Sequence, residues 1–217
     1  MLLEGPRVVR EAAAAGLELE VLALREHVDF EAAAQRTVVL SERVFSTVSD
    51  TVTPQGVIAI AHCAPASFAE ALAAARTAGW PLLVLDGVQD PGNVGTIART
   101  AAAAGAPALA VLEGTADPYG PKAVRASAGN VFRLLVAAAV PSDLAGLDVW
   151  GAAAAGGEPL DQAPVERATA LVLGAEARGL RLPVARRVSI PIAQGVESLN
   201  VAAAAAVLLF ELRRRLA

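Results

Sequence analysis

Cysteine, lysine and aromatic residues are scarce in this 217-residue chain, and each scarcity narrows what the protein can be. The single Cys63 rules out an internal disulfide and favours a reducing, cytoplasmic compartment. Because only 4% of the residues are aromatic, a hydrophobic core has to be built from Leu, Val, Ile and Ala. The apolar stretch 201–210 is too short to cross a bilayer, so we expect no membrane partner.

Positive charge is also limited. The formal net charge is −4, the pI is near 5.3, and Lys122 is the only lysine among 18 basic residues. Such a balance does not favour a nucleic-acid binder, although a local arginine patch can still hold phosphate. His27 and His62 are isolated and no ligand spacing surrounds Cys63, so no metal site is expected.

The first third of the chain reads as a small α/β unit. We predict helices at 6–15 and 30–35, a helix through Phe45, and strands at 19–24, 37–40 and 57–61. Ser67 and Glu70 form a capping-box pattern that opens another helix. The sequence therefore predicts a domain at 1–63, a linker with a connecting helix at 64–80, and a larger domain at 81–217.

Apolar strand-like runs and helical stretches alternate regularly after residue 82, which indicates a mainly parallel α/β sheet covered on both faces. The six predicted strands are 82–86, 108–112, 133–137, 148–152, 170–173 and 187–191. The predicted helices are 94–104, 121–128, 142–145, 180–185 and a last one that Ser198 caps, running to about 215.

Three polar segments follow strands of this sheet. The first, 87–95, is a glycine-rich turn into a helix, a pattern typical of anion or nucleotide sites. In the second, Gly174 permits close approach to the backbone and Glu176 follows in a tight turn. The third leads from the apolar 190–192 into Ser198 and Asn200. Ligands of open α/β sheets bind outside the carboxyl ends of the strands, and all three segments lie there.

Taken in order, the segments 93–99, 174–179 and 190–201 resemble the three signature motifs of the SpoU (TrmH-like) family of SPOUT RNA 2′-O-ribose methyltransferases. The stretch 117–129 resembles the segment that links the first two motifs. The similarity covers about 82–215 well and 1–62 more loosely.

The resemblance implies transfer of a methyl group from S-adenosyl-L-methionine to a ribose 2′-hydroxyl of rRNA or tRNA. It also implies the SPOUT fold, with a deep trefoil knot near the carboxyl terminus, and a homodimer. The amino-terminal unit resembles a small ribosomal-protein-like RNA-binding domain that lacks its first elements.

Site residues follow from matching the motifs position by position. The catalytic set is Asn93, Arg99, Glu176, Ser198 and Asn200. The cofactor-binding set is Leu173, Gly174, Ile190, Ile192 and Leu199.

Within this set Arg99 is predicted to position an RNA phosphate and to stabilise developing charge on the 2′-oxygen, because a guanidinium holds its proton too tightly to be a good base. Asn93 and Asn200 would orient substrate or loop, and Glu176 and Ser198 would brace the site and the partner Arg99.

Six basic residues are the candidates for RNA contact, with rRNA favoured over tRNA as the substrate. They are Arg7, Arg10, Arg36, Arg43, Lys122 and Arg125.

Two alternatives stay open. The first segment, together with Glu113 after the next strand, also fits a Rossmann-type dinucleotide enzyme, although Asp90 stands where that motif has its first glycine. The other alternative is an RNA-binding scaffold of the same fold without turnover.

Overall fold

The amino-terminal part of the chain forms a four-stranded sheet. The computed structural model describes residues 1–175 and 179–217. The first elements are β1 (Leu2–Glu4), α1 (Pro6–Ala14), β2 (Leu19–Arg25), β3 (Arg36–Leu40), α2 (Glu42–Val48) and β4 (Val57–Ala61). The strand order is β1-β4-β2-β3, in which only β2 and β3 pair in parallel.

One predicted helix of this unit, at 30–35, is wrong. Phe30 is buried, and the segment after it runs without helical structure to β3. The amide of Gln35 donates to the carbonyl of Leu19, 2.9 Å away, which ties the segment to the start of β2. Tertiary pairing here overrides the helical propensity of the alanines.

The larger part of the chain forms a second sheet, of seven parallel strands. Its elements are α3 (Phe68–Thr77), β5 (Leu82–Asp86), α4 (Pro91–Ala104), β6 (Ala108–Leu112), α5 (Pro121–Ala126), β7 (Leu135–Ala139), β8 (Val149–Ala153), β9 (Glu158–Pro159), β10 (Ala170–Gly174), β11 (Arg186–Ser189) and α6 (Val201–Leu216). The strand order is β7-β6-β5-β10-β8-β11-β9. The predicted parallel α/β sheet is confirmed, but the count of six is wrong, because β9 is two residues long and carries no apolar run.

Two predicted helices of this part are also wrong. The segment 142–145 is a single 3₁₀ turn, Pro141–Leu144. Residues 180–185 form no helix, since the amides of Arg181 and Leu182 donate to the carboxylate of Asp86 rather than to a helical carbonyl.

Helices cover both faces of the sheet. Alternate residues of β5 separate the two cores: Leu82 and Val84 pack in the cluster that includes α3, and Leu83 and Leu85 pack in the cluster that includes α4 and α6. Gly95 lets α4 approach α5 closely, because a Cβ there would lie 2.7 Å from the Cβ of Ala126. No helix in the described part of the chain combines the length and hydropathy needed to cross a bilayer.

The two sheets share one continuous hydrophobic core. Residues of α1 such as Val9 belong to the same buried cluster as Val131 and Phe132, which follow α5. At the rim of this junction Arg133 donates to Glu11 at 2.8 Å. The proposed division of the chain at residues 63 and 80 stays a prediction, and so does the trefoil knot.

Glu4 is a buried carboxylate at this junction. It accepts hydrogen bonds from the hydroxyls of Ser49 and Thr51 and from the amide of Asp50, and it lies 3.9 Å from Arg125 of α5. Burial alone raises the pKa of Glu4, but the hydrogen bonds and the charge of Arg125 outweigh burial, so the pKa lies below its ordinary value.

The lowered pKa predicts a pH-dependent contribution to stability. Folded Glu4 binds its proton less tightly than unfolded Glu4, so its contribution is complete above the ordinary glutamate pKa of about 4.3 and is lost as the pH falls through the lowered value. We expect Glu4→Gln to lower the free energy of unfolding by about 1–3 kcal/mol at pH 7 and by less near pH 3. Urea unfolding at both pH values measures this difference.

Glu42→Gln is the matched control, because Glu42 pairs with Arg25 on the surface, with 65% of its side chain exposed. Surface pairs contribute little to stability, so its effect should be small at both pH values. A Glu4→Gln effect that is equal at pH 7 and pH 3 would contradict the assigned ionisation.

Candidate functional site

An apolar cleft lies at the carboxyl ends of β8, β10 and β11 and against the first turns of α6. About 660 Å³ of empty space lies inside it, some of it open to solvent. The residues that line it are Ala152, Ala153, Ala154, Leu173, Gly174, Ala175, Gly179, Val188, Ile190, Ile192, Ser198, Leu199, Val201, Ala204 and Leu208. All five predicted cofactor residues are therefore brought together, and Ser198 lies with them.

Glycine shapes the floor of the cleft. A Cβ on Gly174 would lie 2.6 Å from the amide nitrogen of Leu180 and nearer still to the carbonyl of Gly179. The chain returns to the end of β10 through a bridge between Ala175 and Gly179, whose amide donates to the Ala175 carbonyl at 2.7 Å. The close approach that the sequence predicted at Gly174 is made by the chain's own backbone. Glu176 lies outside the described residues.

The start of α6 differs from the prediction. Asn200, not Ser198, caps the helix: its side-chain oxygen accepts from the amides of Ala202 and Ala203 at 3.0 and 3.2 Å. Its side-chain nitrogen donates to Oδ1 of Asn93 at 3.2 Å. The first and third motifs therefore meet through these two amides, beside the cleft.

Arg99 lies on α4, two turns beyond Asn93. Its side chain is exposed and makes no hydrogen bond or ion pair with any residue that the structure describes. In contrast with the two asparagines, it is held by nothing in this part of the chain. An exposed guanidinium offers planar N–H donors to an anionic ligand such as phosphate.

The amino terminus of α4 is already occupied by a carboxylate. Asp90 caps the helix through the amide of Gly92 at 3.0 Å and accepts from Lys122 at 2.8 Å. The hydrogen bond from Lys122 holds the pKa of Asp90 below its ordinary value. A negative group at this position repels phosphate, which argues against the anion cradle of a dinucleotide fold.

The predicted RNA-contact residues fall into two groups. Arg7, Arg36 and Arg43 are exposed, and Arg10 is exposed but stacks over the ring of Phe30 at 4.9 Å. Lys122 and Arg125 carry acidic partners, Asp90 and Glu4 respectively. The first group therefore offers more positive charge to a ligand than the second.

Asp86 and Arg181 make a contact beyond the end of β5 that the sequence did not predict. Asp86 ends β5 and is only 2% exposed. Its carboxylate accepts from the amides of Arg181 at 2.5 Å and Leu182 at 2.7 Å. The sequence did hold one indication of this role, because Asp86 ends the otherwise apolar strand β5. In residues 1–175 and 179–217, no group of three or more His, Cys, Asp or Glu side chains is placed to hold a metal ion.

Comparison with protein families gives two matches that together span most of the chain. A model described as the SpoU rRNA Methylase family matches residues 81–210, more than half of the chain. A second, described as an MRM3-like substrate binding domain, matches residues 1–59.

Individual proteins agree with these matches. RlmP of Bacillus subtilis, named as a 23S rRNA (guanosine(2553)-2′-O)-methyltransferase, is 37% identical over 98% of this chain and 88% of its own length. The structure of the SpoU methyltransferase AviRb from Streptomyces viridochromogenes with AdoMet has a TM-score of 0.83 at 25% identity, covering 99% of this chain and 89% of that one. AdoMet-bound rRNA methyltransferase from Sinorhizobium meliloti gives 0.82 at 29% identity, covering 100% and 87%.

Proposed function

Because this chain belongs to the SpoU rRNA methylase family, we propose that its apolar cleft binds S-adenosylmethionine and that the ribose of the RNA lies beside Asn93 and Asn200. The chain is an RNA methyltransferase that acts on a ribose 2′-hydroxyl. The observation that carries the site assignment is the cleft itself. Five residues chosen from sequence motifs line one cavity, next to the contact between the first and third motifs.

The walls of the cleft fit this cofactor. Among the described residues, Ser198 alone gives the lining a polar side chain, so the polar atoms of a bound nucleoside would meet backbone groups there. Leu173, Gly174, Ile190, Ile192 and Leu199 are the positions that we assign to it. When bound, S-adenosylmethionine supplies an electrophilic methyl group on a sulfonium sulfur.

The chain's own residues position the nucleophile and stabilise its charge. Asn93 and Asn200 already orient each other and can hold the sugar or its phosphate. Arg99 makes no hydrogen bond or ion pair with any described residue, so its donors can stabilise negative charge on the 2′-oxygen as the hydroxyl proton passes to solvent water and S-adenosylhomocysteine leaves. Ser198 lies in the cleft wall, and Glu176 keeps its predicted bracing role as a proposal.

We further propose rRNA as the substrate and the cytoplasm as the compartment. The name of RlmP as a 23S rRNA methyltransferase supports the first assignment, and the single Cys63 supports the second. The amino-terminal unit would hold the RNA through its exposed arginines, Arg7, Arg36 and Arg43.

The exposed face of α6 supports a homodimer. Ala203, Val207 and Phe210 recur at helical spacing along it, and the last two are 44% and 50% exposed. An apolar stripe on an otherwise packed helix marks an interaction surface. A second copy of this chain, meeting the first through α6, would cover the stripe beside the cleft that α6 also lines.

Phe210→Glu is expected to convert the dimer into a monomer, because a charge in the middle of a packed helix pair is costly to desolvate. Sedimentation equilibrium at micromolar protein measures the change. Val140→Glu is the control, since Val140 is 53% exposed in the turn after β7 and should leave the assembly unchanged. A Phe210→Glu protein that still sediments as a dimer would refute this interface.

The site assignment is tested by titrating the protein with S-adenosylmethionine and with NAD, followed by a methylation assay on ribosomal RNA. We expect one S-adenosylmethionine site per chain, no NAD binding, and methyl transfer to a ribose that mass spectrometry can locate. Binding of NAD alone would revive the dinucleotide alternative. Cofactor binding without transfer to rRNA or tRNA would support the scaffold alternative.

A further inference from the structure

We infer that Asp86 is a positioning residue for the cofactor cleft: its carboxylate holds the returning chain 179–184 over the strand ends, and so fixes one wall of the cleft. The inference rests on the cofactor assignment proposed above. Asp86 itself is not among the cleft-lining residues, and it acts through Arg181 and Leu182.

The first step is a pair of hydrogen bonds from backbone amides to Asp86. One oxygen of Asp86, Oδ2, accepts from both Arg181 and Leu182, at 2.5 and 2.7 Å. The carboxylate is almost fully buried, and hydrogen bonds to a buried charged acceptor are among the strongest in proteins. Residues 180–185 form no helix, so these two amides bond to the Asp86 carboxylate where a helix would offer backbone carbonyls.

The second step is the guanidinium of Arg181. Its Nε lies 4.0 Å from Oδ1 of Asp86, and its Nη1 donates to the carbonyl of Glu113 at 3.0 Å, at the end of β6. Two glycines make room for this side chain. A Cβ on Gly87 would lie 3.2 Å from the Cδ of Arg181, and a Cβ on Gly114 would lie 2.5 Å from Nη1. Gly87 of the first motif and Gly114 after β6 therefore make room for a side chain of the protein itself.

The third step links the clamped segment to the cleft. Gly179 lines the cleft, and its backbone lies against Gly174, which lines it too. Later in the same segment, Leu180 and Val184 pack on Gly151 of β8. A Cβ on Gly151 would lie 2.8 Å from the side chain of Val184. Gly179 lies only two residues before Arg181. Loss of the hydrogen bonds to Asp86 is therefore expected to let Gly179, and with it one wall of the cleft, move more freely.

The experiment compares Asp86→Asn and Arg181→Met with the unmodified full-length protein. Asp86→Asn keeps the size of the side chain but removes its charge. We expect the Kd for S-adenosylmethionine to rise about tenfold, the equivalent of ~1.4 kcal/mol. Arg181→Met keeps both hydrogen bonds from the backbone amides and removes only the guanidinium, so a smaller rise is expected. Hydrogen exchange followed by mass spectrometry should speed up in the peptide that covers 179–184.

Asp143→Asn is the matched control, because Asp143 also accepts a hydrogen bond from a backbone amide, that of Val140 at 2.9 Å, in the turn after β7. It should leave cofactor affinity unchanged, and none of the three variants should alter the Kd for RNA. A purely structural role of Asp86 would instead weaken RNA and cofactor binding together.

The outcomes separate the two claims. Unchanged cofactor affinity in Asp86→Asn overturns the clamp and leaves the cleft assignment intact, whereas failure of the unmodified protein to bind S-adenosylmethionine overturns both. If Asp86→Asn does not fold, Arg181→Met decides: an unchanged Kd and unchanged exchange at 179–184 overturn the inference.

Discussion

Replacing Arg99 with alanine is expected to lower kcat for RNA methylation by about 10²–10³-fold, the effect of removing one well-placed electrostatic contact to a developing oxyanion. The affinity for S-adenosylmethionine should stay within about twofold, because Arg99 is not among the cleft-lining residues. Single-turnover methylation with saturating cofactor, together with a cofactor titration, measures both quantities. Folding should be unaffected, since the side chain is exposed and has no partner in the described part of the chain.

Arg76→Ala provides the control for loss of one surface arginine. Arg76 lies in the last turn of α3, is exposed, and is remote in sequence from all three motifs. A methylation rate near that of the unmodified protein is expected for this variant. If Arg99→Ala also methylates at the unmodified rate, the electrostatic role assigned to Arg99 is wrong.

Gly174→Ala is expected to weaken S-adenosylmethionine binding by about ten- to a hundredfold, because overpacking by one methyl group costs ~1–3 kcal/mol. The new Cβ would overlap backbone atoms of Gly179 and Leu180, which cannot rotate away as a flexible side chain would. Relief of this overlap requires Gly179 and Leu180 to move, and Gly179 lines the cleft. Isothermal titration calorimetry measures the loss.

Gly79→Ala separates this effect from general destabilisation. Gly79 has a φ of +70° and no atom within 4 Å of its added Cβ, so the substitution strains the backbone without filling space. It should lower the melting temperature and keep the cofactor affinity. Retention of normal affinity by Gly174→Ala would show that the loop yields without cost to the cleft.

Much of the second sheet could be predicted from the sequence because its strands are continuously apolar. The run 82–86 became β5 with all five residues buried, and Ser67 and Glu70 form the predicted capping box. The strand β9 could not be found this way, since Glu158 and Pro159 join the sheet only through their contact with β11. Propensity also failed at 180–185, where a distant carboxylate captures the amides that a helix would use.

The residues of the cleft were predictable from the resemblance to the SpoU family, matched motif by motif, and not from periodicity or spacing alone. Spacing does not reveal which side chain caps a helix, so Ser198 was chosen where Asn200 performs that role. It also misses Asp86, whose partners lie about 95 residues away in sequence and interact only through their backbone.

The core that the two sheets share fixes the distance between the amino-terminal unit and the cleft. The unit that carries Arg7, Arg36 and Arg43 cannot swing independently of the cleft, because α1 is built into the same buried cluster as Phe132 and is tied at its rim by Glu11 and Arg133. If these arginines hold the RNA as proposed, the distance from that contact to the cleft is set by the fold, and the nucleotide can be selected by its distance and by RNA shape.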